Sequence, residues 1–133
     1  MANAIYPKAK EAFLNGEIDV SDDTIKVALV DTGTYTYSTA HDFYDDVSGV
    51  LGTPVALASK TVTSGVFDAA DCTFTTPAAG TSIEALIIYK DTGTAGTSNL
   101  IAYIDTGTGL PFTSNGADVD IVWDSGSNKI FAL

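Results

Sequence analysis

The stretch Glu84-Ala85-Leu86-Ile87-Ile88-Tyr89 sets Leu86 and Ile88 on one side of an extended chain and Ala85, Ile87 and Tyr89 on the other. Successive side chains of a strand point to opposite faces, so a strand apolar on both is expected at the centre of a sheet, covered from two sides. Residues 24–30 read the same way, with Ile25, Val27 and Leu29 alternating with Lys26, Ala28 and Val30, and residues 100–105 supply a third such run. Further out, Val119, Ile121 and Trp123 alternate with Asp118 and Asp120, and Phe131 and Leu133 share one face of a closing strand at 129–133. Residues 53–63 and 66–75 form two β-rich runs joined across Ser64-Gly65, which predicts a hairpin. One helix is expected at residues 7–15: Ala9, Ala12 and Phe13 make its apolar face, Pro7 suits its first turn and Gly16 stops it. A further helical turn or two is expected within residues 38–47, with Ser38 or Thr39 as cap. The loop 91–98, almost wholly Thr, Gly, Ala and Ser, is expected to be exposed and mobile. The sum is about seven strands and a short N-terminal helix. It predicts one mainly β domain over residues 1–133, an antiparallel β-sandwich or barrel at 24–133 preceded by a helical segment at 1–16.

The 133 residues suit one domain large enough to fold without a disulfide. Seventeen Asp and Glu against six Lys and Arg give a formal charge of −11. Such a field repels phosphate backbones and anionic lipid, so neither nucleic acid nor a membrane surface is an expected partner. The first residues lack an apolar segment behind a basic start, and no apolar run approaches the ~18 residues that span a bilayer, so synthesis in a cytoplasm is expected. Cys72 is the only cysteine, and alternation places it beside Phe74 on one strand face; it reads as a buried, inert thiol without a base to activate it.

Asp-Thr-Gly occurs three times, at Asp31-Thr32-Gly33, Asp91-Thr92-Gly93 and Asp105-Thr106-Gly107. The first follows an apolar strand, as in aspartic proteases, where two carboxylates share a proton. A subunit of that kind needs one such loop and a later Gly-Arg or Gly-Asn helix start, which is missing. Three copies fit a simpler role, in which each triplet ends a strand and the Asp bonds its own backbone. One His and one Cys cannot build an ordinary zinc site. The acidic groups Asp42, Asp45, Asp46 and Asp68, Asp71 lack the twelve-residue calcium loop with its closing Glu and read as solvated faces. No phosphate-cradling glycine loop occurs, and nothing selects a carboxylate pair for glycoside hydrolysis. No cofactor or catalytic residue is therefore expected.

Several stretches together resemble a family of small virion structural proteins of tailed bacteriophages. They are the opening Ala2-Asn3-Ala4-Ile5-Tyr6-Pro7-Lys8-Ala9-Lys10-Glu11-Ala12-Phe13-Leu14-Asn15-Gly16, then Ile25-Lys26-Val27-Ala28-Leu29-Val30-Asp31, Gly65-Val66-Phe67-Asp68-Ala69 and Ala85-Leu86-Ile87-Ile88-Tyr89-Lys90-Asp91-Thr92-Gly93, with an ending that runs from Trp123-Asp124 to Lys129-Ile130-Phe131. The resemblance spans nearly the whole chain and leans toward capsid decoration, or cement, proteins. It implies a jelly-roll or related sandwich without enzymatic activity, self-association favouring a trimer, and the major capsid protein as partner. The place implied is the capsid exterior, after synthesis in the bacterial host. A tail or baseplate component is the second reading, and a carbohydrate-binding module using Tyr35, Tyr37, Phe43 and Tyr44 as a stacking platform is the third. Inter-subunit contacts are expected from segments 1–15 and 34–52, which hold apolar side chains outside the strand pattern. The candidates are Tyr6, Phe13, Leu14, Tyr35, Tyr37, Phe43 and Tyr44.

Overall fold

The computed structural model describes residues 3–75, 82–105, 112–113, 115–123 and 129–133. In chain order the elements are β1 (Ala4–Ile5), α1 (Pro7–Leu14), β2 (Ile25–Val30), β3 (Val50–Ala56), β4 (Thr61–Thr63), β5 (Val66–Asp68), β6 (Cys72–Phe74), β7 (Ser82–Ile83), β8 (Ala85–Lys90), β9 (Leu100–Ile104), β10 (Phe112–Thr113), β11 (Val119–Ile121) and β12 (Phe131–Ala132). Short 3₁₀ turns lie at Tyr44–Asp46 and Ala95–Thr97.

The apolar run around Ile87 is the middle of an antiparallel five-stranded sheet ordered β1-β9-β8-β2-β3. Along the β2–β8 ladder Ile25 faces Lys90 and Val30 faces Ala85 without a break. One side of this sheet carries Ile25, Val27, Leu29, Leu86 and Ile88. They pack on Phe67, Phe74, Val119, Ile121, Ile130 and Phe131, which come from the short sheets β4-β5-β12 and β6-β11. The result is an uneven, sandwich-like domain, mainly β and antiparallel, with one short helix. The other side carries Ala28, Val30, Ala85, Ile87, Tyr89, Leu100 and Tyr103, and is covered by Tyr6, Ala9 and the loop 31–49. A bulge in β9 serves both sides: Ile88 faces Ala102 and Tyr89 faces Leu100. Ile101 is thereby left over and turns into the sandwich with Ala102.

Several expectations are corrected. The runs 53–63 and 66–75 are not two continuous strands. After β3 the Leu57 N–H donates to the Ile25 carbonyl at 2.8 Å, and Ser59 at φ 53° turns the chain out of the sheet. Only β4 and β5 pair across Ser64-Gly65, and β6 leaves to pair with β11, Cys72 opposite Ile121. Twelve strands therefore replace about seven among the described residues. The segment 1–16 is not merely helical, since β1 pairs with β9 and completes the sheet. In the closing strand Ile130 and Phe131 are buried, whereas Leu133 is 64% exposed. The turn at Tyr44–Asp46 is preceded by Phe43, while the Ser38 hydroxyl serves only the Ala40 N–H, at 3.2 Å. The expected breaks at 77–81 and 107–111 lie outside the described residues.

Candidate functional site

All six tyrosines of the chain gather on the covered side of the five-stranded sheet. Tyr89 and Tyr103 arrive there by strand alternation from β8 and β9. Tyr6 is held where β1 turns into α1: its N–H donates to the Ile101 carbonyl at 3.0 Å, and its own carbonyl accepts the Ala9 N–H at 2.9 Å. Tyr35 and Tyr37 follow a tight turn in which the Asp31 carboxylate accepts the Gly33 N–H at 2.8 Å and the Asp31 carbonyl accepts the Thr34 and Tyr35 N–H groups. Tyr44 is pinned when its N–H donates to the Ser98 carbonyl at 2.8 Å, while the Leu100 N–H donates to Asp42.

The rings share one apolar cluster and touch in two groups, Tyr44 with Tyr89 and Tyr6 with Tyr35, Tyr37 and Tyr103. Tyr44 stacks on Tyr89 with centroids 4.0 Å apart, and Tyr37 touches both Tyr6 and Tyr103, at 5.0 and 5.4 Å. The Tyr6 and Tyr35 hydroxyls are hydrogen-bonded at 2.8 Å, and Tyr35 bonds His41 Nδ1 at the same distance. Burial is the main reason that the Tyr6, Tyr35, Tyr44 and Tyr89 phenols are all held above their ordinary range. The Tyr103 phenol is pushed up to about 12, first by burial and then by the negative charge of Asp105, to which it is hydrogen-bonded.

Beside this layer lies an open cleft of about 330 Å³, lined by Thr32, Tyr35, Thr36, Tyr37, Glu84, Tyr103 and Asp105. Topology explains the grouping. Val30, Ala85 and Ile104 lie at one end of neighbouring strands, so Thr32, Glu84 and Asp105, one or two residues beyond them, converge there. Among the described residues the lining combines tyrosine rings, hydroxyls and two carboxylates with no Lys, Arg or His.

The predicted interface residues fare differently from one another. Tyr6 and Tyr35 are fully buried within the chain and offer no surface to a partner, which corrects their assignment. Phe13, Tyr37, Phe43 and Tyr44 are half-buried, and Leu14 is 89% exposed. Sequence reasoning missed the exposed Val62, Val122 and Leu133, and it missed Glu84, Tyr103 and Asp105 as one group. The available signal was that Glu84 and Asp105 are the charges at the ends of apolar strands; it needed the strand register to become a site.

The remaining motifs are spent structurally. Asp91 repeats the turn of Asp31 by accepting the Gly93 N–H at 3.0 Å. Its carboxyl is lowered from the ordinary value, chiefly by the hydrogen-bonded Lys26 ammonium at 2.8 Å. Asp31 and Asp91 follow opposite ends of the β2–β8 ladder and cannot share a proton. The third triplet is described only at Asp105. Burial pushes the Cys72 thiol up to about 11, and it packs inside the sandwich while His41 lies against Tyr35 on the other side of the sheet. Among the described residues no three or more His, Cys, Asp or Glu are grouped to hold a metal ion, and no helix is long and apolar enough to cross a membrane. No protein-family model matches the chain, and no curated protein matches its sequence.

Proposed function

We propose that this chain is a non-enzymatic structural protein of a tailed-bacteriophage virion, acting as a decoration protein that binds the outside of the capsid and bridges copies of the major capsid protein. The resemblance of its sequence motifs supports the class. The observation that carries the mode of action is apolar surface where α1 meets the sheet β4-β5-β12. There Phe13 packs on Phe131 with ring centroids 6.3 Å apart, and the row Val62, Phe67, Phe131 crosses the sheet. Phe67 and Phe131 are buried, while Leu14 on α1, Val62 on β4 and Leu133 just after β12 are 89, 49 and 64% exposed. Large apolar side chains in water are an unused association energy, of about 25 cal/mol for each Å² covered. A shell protein would use it in self-association and lattice attachment, with each later contact intramolecular and the shell stabilised by mass action.

The sugar-stacking alternative is weakened on two counts: Tyr35 is buried and one face of Tyr44 is occupied by Tyr89. Deleting residues 1–15 is a poor test, because Tyr6, Ala9 and Ala12 belong to the core. Leu14→Asp changes an exposed position and leaves the fold intact. Its expected result is loss of self-association by sedimentation and of binding to purified capsids; retention of both would overturn this use of the α1 end. Electron cryo-microscopy of virions would locate the chain, and density confined to the tail would replace decoration by a tail role.

A further inference from the structure

We propose that the cleft between Tyr37, Tyr103, Glu84 and Asp105 receives an arginine side chain presented by a different protein. At about 330 Å³ it lies at the small end of ligand pockets, which suits one long side chain and not a cofactor. Its chemistry is one-sided. Two carboxylates stand in a lining that, among the described residues, holds no Lys, Arg or His, on a molecule whose formal charge is −11, so the local and long-range fields both draw a cation in.

The rings select the kind of cation. Tyr35 and Tyr103 are buried beneath the cleft, and the half-buried Tyr37, its ring 5.4 Å from that of Tyr103, borders it with the negative π face of an aromatic ring. A guanidinium is planar and weakly hydrated, stacks on such a face, and carries five donors for two carboxylates and the hydroxyls of Thr32 and Thr36. An ammonium is a compact, strongly hydrated charge and gains less from the ring. The source of the side chain follows from composition: all six basic residues here are lysines, so a second copy of this chain has no guanidinium to offer. The occupant comes from another chain, wherever in an assembly the protein sits, and the proposal is independent of the virion reading.

The test is an NMR titration of the ¹⁵N-labelled protein with N-acetyl-arginine amide, with the lysine and citrulline analogues in parallel. Expected are saturable shifts confined to Thr32, Thr36, Tyr37, Glu84 and Asp105, with half-saturation on the order of 1 mM, as suits a single side chain. The lysine analogue should bind several-fold more weakly, and neutral citrulline should not bind. Glu84→Gln should weaken the arginine probe roughly three- to tenfold. No saturable shift at the cleft would overturn the proposal, as would citrulline matching arginine or shifts spread over the whole acidic surface. Lysine binding as tightly as arginine would overturn the choice of a guanidinium. The wild-type comparison decides the matter even if the Glu84 variant is unstable.

Discussion

Ser98 is the only buried polar residue among those described, and it ties two loops to the tyrosine layer. Its hydroxyl donates to the Thr94 carbonyl at 2.8 Å and accepts the Thr92 N–H at 3.0 Å, while its backbone carbonyl holds Tyr44. Thr92 and Thr97 add a hydroxyl–hydroxyl bond at 2.6 Å, so the segment expected to be mobile is cross-linked by its own polar groups. Ser98→Ala takes the acceptor from the Thr92 N–H while the Thr94 carbonyl keeps the Thr97 N–H at 3.1 Å, and about 0.5–1.5 kcal/mol of stability should be lost in urea denaturation. Gly49 is the second sensitive position. It sits at φ +68° while its carbonyl accepts the Asp31 N–H, and a Cβ there would lie 2.8 Å from the Thr34 Cβ. Left-handed strain and this clash together should make Gly49→Ala cost roughly 2–4 kcal/mol, seen as a lowered Tm. Neither residue was legible as important in the sequence, where Ser98 is one hydroxyl among many and Gly49 one loop glycine among several. Burial and backbone angle give them weight, and both are products of the fold.

At the scale of elements, strand character was legible wherever both faces are apolar. β2, β8 and β9 each had to be covered from two sides, and only the interior of the large sheet offers that. The hairpin was legible from its turn, where Ser64 and Gly65 adopt φ 51° and 79°, both positive as in a type I′ turn. Residues 57–60 and 69–71 were not legible as breaks. Nothing local separates them from their β-rich neighbours, and the breaks arise because β3, β5 and β6 belong to three different sheets. Ser64 is a weak choice for the first turn position, where asparagine tolerates positive φ better. Ser64→Asn should raise stability by roughly 0.5 kcal/mol in chemical denaturation, without altering the β4–β5 register.

The whole molecule has an alkaline limit set by its tyrosine layer. The Tyr6, Tyr89 and Tyr103 phenols are raised above the ordinary value of 10.0, so above that pH the folded state holds protons that the unfolded state has released. Their contribution to stability is whole below pH 10.0 and is lost as pH rises toward the folded values, about 12 for Tyr103. In an alkaline titration the last phenolate absorbance should therefore appear together with the loss of β circular dichroism; six phenolates formed on an intact fold would contradict this. Composition showed an acidic molecule, and it could not show that Glu84 and Asp105 meet beside three rings, because that meeting depends on sheet register. The same register governs how the chain reaches its fold. Ile25 lies opposite Lys90 in the central ladder and Ala4 opposite Tyr103 at the edge, so the large sheet joins segments far apart in sequence. Sheets closed by such distant pairings form slowly, in about milliseconds to seconds. During synthesis β2 leaves the ribosome with two bare apolar faces and has no central partner until β8 has been made. The interval in which this protein is most exposed to aggregation is thus its own translation, and its length is set by the distance along the chain between those two strands.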